Sequence, residues 1–331
     1  LRFHPPASSS TTPPIPVPTP TTNQPEPTKS FLDLNEHLDA VIYESWKKAS
    51  LSIKSNSISQ DNIRLLIGPN TILNQQDKNY LSAINQVTRL YANIPQAKNV
   101  YLIYYGAEDI AWAQNQFEKY MDASYGYGNR QTAAADNCIL PDCNGGMAVH
   151  TKNFDSIILM GDSNGWKNST YNPNQGYLGH SFAHEYTHTI QLFNMNPNWG
   201  NFPRWLTEGV AEWSATAAVT YDDFESYLNF RNHQDLGSQY GNDKVYDEAY
   251  ISKFLNPELV YKPGLDINSY LNTYPHWDAY SLGFMVAEIL VTLKNQDSLI
   301  KLLQNINSGL TFAQSFKMEF GVEWNEAARL I

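Results

Sequence analysis

One pentapeptide constrains this chain more than any other feature: His184-Glu185-Tyr186-Thr187-His188. The surrounding residues, 179–194, carry no proline and no glycine after Gly179, so the sequence predicts a single helix there. On a helix, residues four apart lie about 40° apart around the axis and about 6 Å along it, so both imidazoles leave one face and can share one ion. Glu185 stands about 100° round from His184, where it leans over the open side of such an ion instead of binding it. That position suits a general base acting on an activated water.

Two imidazoles require a third ligand. Trp205-Leu206-Thr207-Glu208-Gly209-Val210-Ala211-Glu212-Trp213 follows a turn-rich connection from Asn194 to Pro203, and Pro203 suits the first position of a second helix. Nineteen residues separate His188 from Glu208, enough for one helix to end, reverse and return as another alongside. Glu208 with His184 and His188 leaves a fourth tetrahedral position for water, the pattern of a catalytic zinc and not of a structural one. Glu212, one turn beyond Glu208, is placed to accept a hydrogen bond from the outer nitrogen of a ligating histidine. A His-Glu-x-x-His match by itself arises by chance in about one chain in a hundred of this length, and two histidines on a solvated helix face are the plain alternative. The Trp-Leu-Thr-Glu-Gly context weighs against accident.

Together His184, Glu185, His188 and Glu208 resemble the gluzincin metallopeptidases, the group that includes thermolysin and the membrane-alanyl-type aminopeptidases. The nineteen-residue spacer is similar to the thermolysin-like branch. Trp205-Leu206-Thr207-Glu208-Gly209 instead resembles the Trp-Leu-x-Glu-Gly of the aminopeptidase branch. The resemblance covers residues 179–213 and extends to 276–290. It implies zinc as cofactor, held by His184, His188 and Glu208, with Glu185 as catalytic base and a peptide or protein as substrate. Glu212 corresponds to the second carboxylate behind the ligands, where thermolysin-like enzymes have Asp. The implied architecture is a two-lobed α+β zincin fold: a mixed-sheet N-terminal lobe over 31–176, then zinc-binding helices and a helical C-terminal lobe over 177–331.

The same resemblance places the substrate. In gluzincins the strand preceding the zinc helix is a sheet edge, to which a substrate peptide adds as one more strand. Here Gly146-Met147-Ala148-Val149-His150 and Ser156-Ile157-Ile158-Leu159-Met160 read as two strands, with Gly146, Met147 and Ala148 as the expected substrate edge. Gly145-Gly146-Met147-Ala148 is similar to the Gly-x-Met-Glu-Asn of the aminopeptidases, with Ala148 where their amine-binding glutamate would be. That substitution points to an endopeptidase, or to an enzyme with a narrow protein substrate. Tyr280-Ser281-Leu282-Gly283 resembles the Tyr-x-x-Gly whose tyrosine hydrogen-bonds the tetrahedral intermediate. With 21 tyrosines in the chain, a core or surface role for Tyr280 is the alternative, and His276 is the substitute donor.

The remaining residues bound the reading without changing it. A chain of 331 residues, 42% hydrophobic and 17% charged, has an ordinary globular composition. The net charge of −11 argues against nucleic acid and against an anionic membrane surface as partners. The longest apolar run, Leu282 to Leu293, is interrupted by Glu288 and is too short to span a bilayer. Residues 5–28 are Pro, Thr and Ser with almost nothing apolar, so residues 1–30 are expected to form a disordered linker. A stalk of this kind commonly follows a signal peptide or an upstream anchor, which suggests a secreted or surface-tethered protein; a cytosolic tail is the alternative.

Between linker and zinc helix the periodicity changes repeatedly. Phe31, Leu34, Leu38, Val41, Ile42 and Trp46 recur at helical spacing, Ile63 to Ile67 reads as a strand, and Tyr80 to Tyr91 as a helix. Val100 to Tyr105 is a buried-looking strand with a helix, Ala107 to Met121, after it. Cys138 and Cys143 are expected to close a small disulfide loop, which fits an oxidising compartment; two free thiols or a second metal site are the alternatives. Residues 162–176 are expected to form a loop overhanging the cleft, and Asp162 with its neighbours matches no calcium-binding spacing. Helices are expected at Ala279–Leu293, Ser298–Ile306 and Trp324–Ile331. The competing functional class is a non-catalytic cell-surface protein that keeps the scaffold for binding, and the intact Glu185 weighs against it.

Overall fold

The computed structural model describes residues 30–74, 77–121, 130–139, 142–143, 145–151, 153, 155–162, 179–195, 202–233, 246–256 and 278–331. The expected linker through residue 29, the loop over 163–176 and His276 lie outside the described residues.

The fold is mixed α+β, built on a small four-stranded sheet. Strands β1 (Ile63–Ile67), β2 (Val100–Tyr105), β5 (Gly146–His150) and β6 (Ser156–Gly161) stand in the order β1-β2-β6-β5. β1, β2 and β6 are parallel, and β5 runs antiparallel to β6, with Gly146 opposite Met160 and His150 opposite Ser156. Between β2 and β5 a two-stranded hairpin, β3 (Cys138–Ile139) and β4 (Asp142–Cys143), pairs Cys138 with Cys143. The disulfide joins these two residues, with sulfurs 2.06 Å apart.

The strand that carries Gly146, Met147 and Ala148 stands at the edge of the sheet, as expected. β6, the last described strand before the helix over residues 180–195, is interior and buried along its whole length. The edge beside it is β5, which holds Gly146, Met147 and Ala148. The reason lies in the pairing: β2 occupies one side of β6, and the chain reaches the other side first, as β5.

Alternate side chains of each strand face opposite ways, and each face has its own cover. Leu102, Tyr104, Ala148, Ile158 and Met160 join one large apolar cluster with the helices that follow. Ile103, Tyr105, Val149, Ile157 and Leu159 meet Ala113 and Phe117 of α3 (Ile110–Tyr120) on the other face. Burial on both faces explains why β2 and β6 read as continuous apolar runs and not as alternating ones.

Helix α1 (Leu38–Ser55) and helix α2 (Tyr80–Leu90) precede the sheet's centre, and the short α4 (Ala133–Asp136) leads into the hairpin. The apolar pattern from Phe31 is not one helix. Phe31–Glu36 is a 3₁₀ turn, its start fixed by reciprocal Ser30–Asp33 bonds, and the break falls at His37 with φ −132°. Likewise Ala107–Asp109 is a 3₁₀ turn before α3. There the buried Asp109 accepts from the backbone N–H of Asn70 at 3.0 Å and from the Asn70 side chain at 2.9 Å, which ties the end of β1 to the end of β2.

After the sheet the described residues are mostly helical. The elements are α5 (His180–Met195), α6 (Arg204–Val219), α7 (Phe224–His233), α8 (Glu248–Phe254), α9 (Asp278–Leu293), α10 (Asp297–Asn307), α11 (Phe312–Phe320) and α12 (Trp324–Leu330). Pro203 is the extended residue that caps α6, one position earlier than expected. α6 and α9 cross almost backbone to backbone: a Cβ on Gly209 would lie 2.1 Å from the carbonyl carbon of Gly283, and one on Gly283 would lie 2.7 Å from the Trp205 carbonyl oxygen. Lys48 of α1 donates to the last carbonyls of α9, those of Val291 (3.2 Å), Thr292 (2.6 Å) and Lys294 (3.0 Å), which otherwise have no partner within the helix. Among the described residues no helix is long and apolar enough to cross a membrane.

Candidate metal centre

α5 and α6 place three donor atoms together. His184 Nε2 and His188 Nε2 are 3.1 Å apart, and Glu208 Oε2 lies 3.6 Å from the first and 3.3 Å from the second. Among the described residues this is the one group of three or more His, Cys, Asp or Glu side chains with the convergence that an ion requires. Asp162 joins no such group; its carboxylate accepts from Tyr104 at 2.7 Å and Asn74 at 3.3 Å.

The outer bonds of each of these side chains fix which of its atoms turns to the site. His184 Nδ1 lies 2.8 Å from Glu212 Oε2, and a carboxylate can only accept, so Nδ1 carries a hydrogen and Nε2 is the nitrogen turned to the site. His188 Nδ1 lies 2.8 Å from Gln191 Oε1. The Gln191 amide is held that way round because its Nε2 donates to the Thr207 carbonyl at 3.0 Å, so His188 Nδ1 is the donor and Nε2 is turned to the site as well. Arg204 Nη2 lies 3.5 Å from Glu208 Oε1, the outer oxygen of the third ligand. The inner one, Glu208 Oε2, is buried and has no hydrogen-bond partner among the described residues.

Three lone-pair atoms facing one another in a buried site are unfavourable unless a proton or a cation lies between them. The titration behaviour shows the same demand. Burial acts to lower the His184 pKa, but bonds from Glu208 and Glu212 push it up to about 10. Burial acts to raise that of Glu208, but His188 and His184 hold its carboxyl well below the usual range. Two imidazole nitrogens and one carboxylate oxygen are the donor set of a catalytic zinc site, so these residues fit the metal.

Glu185 is buried beside this face, and Gly146 of β5 lies directly against it: a Cβ on Gly146 would sit 2.4 Å from Glu185 Oε1. The edge strand therefore passes the carboxylate with no side chain between them. Burial raises the Glu185 pKa, against the opposing pull of His188 and His184. On the other side of the site the Tyr280 ring stacks on His184 at 5.6 Å between centroids. Its hydroxyl is hydrogen-bonded to Glu208, and burial followed by the Glu208 charge drives its pKa well above the usual value, so it stays an O–H donor. The Gly209–Gly283 crossing makes this possible, since Glu208 adjoins one glycine and Tyr280 lies one turn before the other.

His184, Glu185, His188, Glu208, Glu212 and Tyr280 thus form one cluster, with Gly146 at its margin. Met147 and Ala148 lie on β5, where Ala148 is buried in the large core and Met147 packs on the other sheet face. The Cys138–Cys143 disulfide leads into β5 and is not a ligand pair. Residues not anticipated from the sequence are Gln191, Arg204 and His180, whose Nε2 is 3.4 Å from Glu212 Oε1. Each stands three or four positions from a residue already singled out, the spacing at which helical side chains meet. Compared with protein-family models, with curated proteins and with solved structures, the chain matches none.

Proposed function

We propose that this chain is a zinc-dependent peptidase of the zincin type that cuts within peptide chains and works outside the cytoplasm. The observation that carries the reading is the buried Glu208 Oε2, without a hydrogen-bond partner among the described residues, facing two imidazole nitrogens, with Glu185 and Tyr280 flanking the same point. His184, His188 and Glu208 hold the metal. When bound there, zinc supplies Lewis acidity, polarising a carbonyl and lowering the pKa of water to about 7.

The chain's own groups do the rest. β5 offers its free edge to the substrate backbone as one further strand, and Gly146 lets that backbone run close to Glu185. Glu185, made more basic by burial, takes the proton of the attacking water and passes it to the leaving amine. Tyr280 keeps its hydrogen and donates it toward the oxyanion. Ala148 is buried in the core and supplies no carboxylate for a free substrate amine, which favours endopeptidase action. The Cys138–Cys143 bridge supports an oxidising location.

The test is Glu185→Gln in the zinc-loaded protein, assayed on a quenched peptide library with free and N-acetylated ends. Zinc content should stay at about one per chain while turnover falls by about 10²–10⁴. The wild-type enzyme should cut blocked peptides as well as free ones. Unchanged turnover in Glu185→Gln overturns the mechanism, and strict dependence on a free amine overturns the endopeptidase reading.

A further inference from the structure

The Glu212 carboxylate does not serve His184 alone. Its Oε2 takes the His184 Nδ1 hydrogen at 2.8 Å, while its Oε1 faces His180 Nε2 at 3.4 Å. His180 is the first residue of α5 and lies one turn before His184 on the same helix face. The same Nε2 is 3.3 Å from Thr216 Oγ1, one turn after Glu212 on α6, and the His180 ring stacks on Phe230 of α7 with centroids 4.6 Å apart. His180 is therefore held by three helices, with its nitrogen at the back of the carboxylate behind the metal ligand.

We infer that His180 is a positioning residue of the metal centre, acting through Glu212 on His184. The inference rests on the zinc reading above and deepens it. A carboxylate bound through one oxygen can still turn about its Cγ–Cδ bond and carry the imidazole with it. A second contact, His180 Nε2 at 3.4 Å from the other oxygen, opposes that rotation. His184 then presents Nε2 at the angle set by α5, α6 and α7 together, before any ion arrives. Phe230 keeps the His180 ring from swinging away, and Thr216 bounds the nitrogen on its remaining side. The preorganisation appears in metal affinity, because the ordering is done in the metal-free fold.

The experiment measures affinity for Zn2+ by competition with a chelator, and the visible spectrum of the Co2+-loaded protein, in the full chain. His180→Phe keeps a ring to stack on Phe230 and deletes the nitrogen, whereas His180→Gln restores an N–H donor of similar reach. His180→Phe should weaken zinc by about tenfold, at the low end of the 10–100-fold typical of residues behind a ligand, and should alter the Co2+ bands. His180→Gln should recover most of both. Glu212→Ala should cost at least as much as His180→Phe, and adding His180→Phe to it should cost nothing further, since the two act as one unit. Should His180→Phe fail to fold, His180→Asn, whose shorter arm stops short of Glu212, takes its place with the same expected loss. Wild-type affinity and spectrum in a folded His180→Phe or His180→Asn protein, or additive losses in the double variant, would overturn the inference while leaving the metal reading intact. Absence of stoichiometric zinc in the wild-type protein would instead overturn the metal reading itself.

Discussion

Glu208 and Glu288 are both carboxylates buried between helices, and their neighbours treat them in opposite ways. Glu288 on α9 accepts from Tyr227 at 2.7 Å and from Arg231 Nε at 3.0 and 2.8 Å, one to each oxygen, so both oxygens are satisfied. Burial still prevails over Arg231 and keeps its carboxyl above the usual range. Glu208 has Arg204 near one oxygen, while the other has no hydrogen-bond partner among the described residues and faces two imidazole nitrogens. A buried charge completed by the polypeptide fastens helices to one another. A buried charge left incomplete, with its neighbours locked in the ligating tautomer, is shaped for something that the polypeptide does not supply.

The contrast can be broken at the two tyrosines. Tyr280→Phe removes the hydroxyl beside Glu208, and kcat should fall by about 10²–10³ with zinc content and thermal midpoint near wild type. Tyr227→Phe removes the hydroxyl bonded to Glu288 and should do the reverse, lowering stability by about 1.5–3 kcal/mol without touching turnover. Equal effects of the two substitutions on kcat would erase the distinction between the clusters.

The carboxylates give the next largest effect. Glu288→Ala strands Arg231 and should cost about 3 kcal/mol in urea denaturation, the low end for breaking a buried pair because Arg231 keeps some contact with solvent. The folded fraction should still bind one zinc. Glu208→Gln should lose the metal, while the metal-free protein unfolds close to the wild-type urea concentration. Zinc retained by Glu208→Gln and lost from Glu288→Ala would reverse the assignment.

The smallest effect sharpens the picture of the metal-free site. With the His184 pKa raised to about 10, its extra proton is still bound throughout pH 6–9 and must leave when zinc enters. Apparent zinc affinity should therefore rise with pH, by about tenfold per unit, and level off as pH approaches that value. Chelator competition at several pH values measures the slope. A flat profile would mean that no proton occupies the place of the ion.

Much of this was legible in the chain because helical spacing is a short-range rule. His184, His188 and Glu208 meet as the pentapeptide and its spacer imply, and Glu212 bonds His184 as its place one turn beyond Glu208 suggests. The residues that escaped notice are of two kinds. Gln191, Arg204 and His180 obey the same i±3 and i±4 arithmetic but carry ordinary surface-residue identities, so nothing marks them until two helices are packed. Gly146 against Glu185 and Gly209 against Gly283 depend on contacts between elements far apart in sequence, which no local pattern encodes. The opening helix was overextended because a 3₁₀ turn and the helix after it both bury residues every three or four positions.

The crossing of α6 and α9 has one further consequence. Tyr280 and Glu208 are separated by the thickness of two touching peptide backbones, and the distance therefore has no adjustable part. No nearby side-chain replacement can widen or narrow that wall while the two glycines remain, and any side chain at either glycine would push the tyrosine off the carboxylate. One side of the candidate metal centre is thus set by backbone alone, and adjustment is left to the opposite side, along β5.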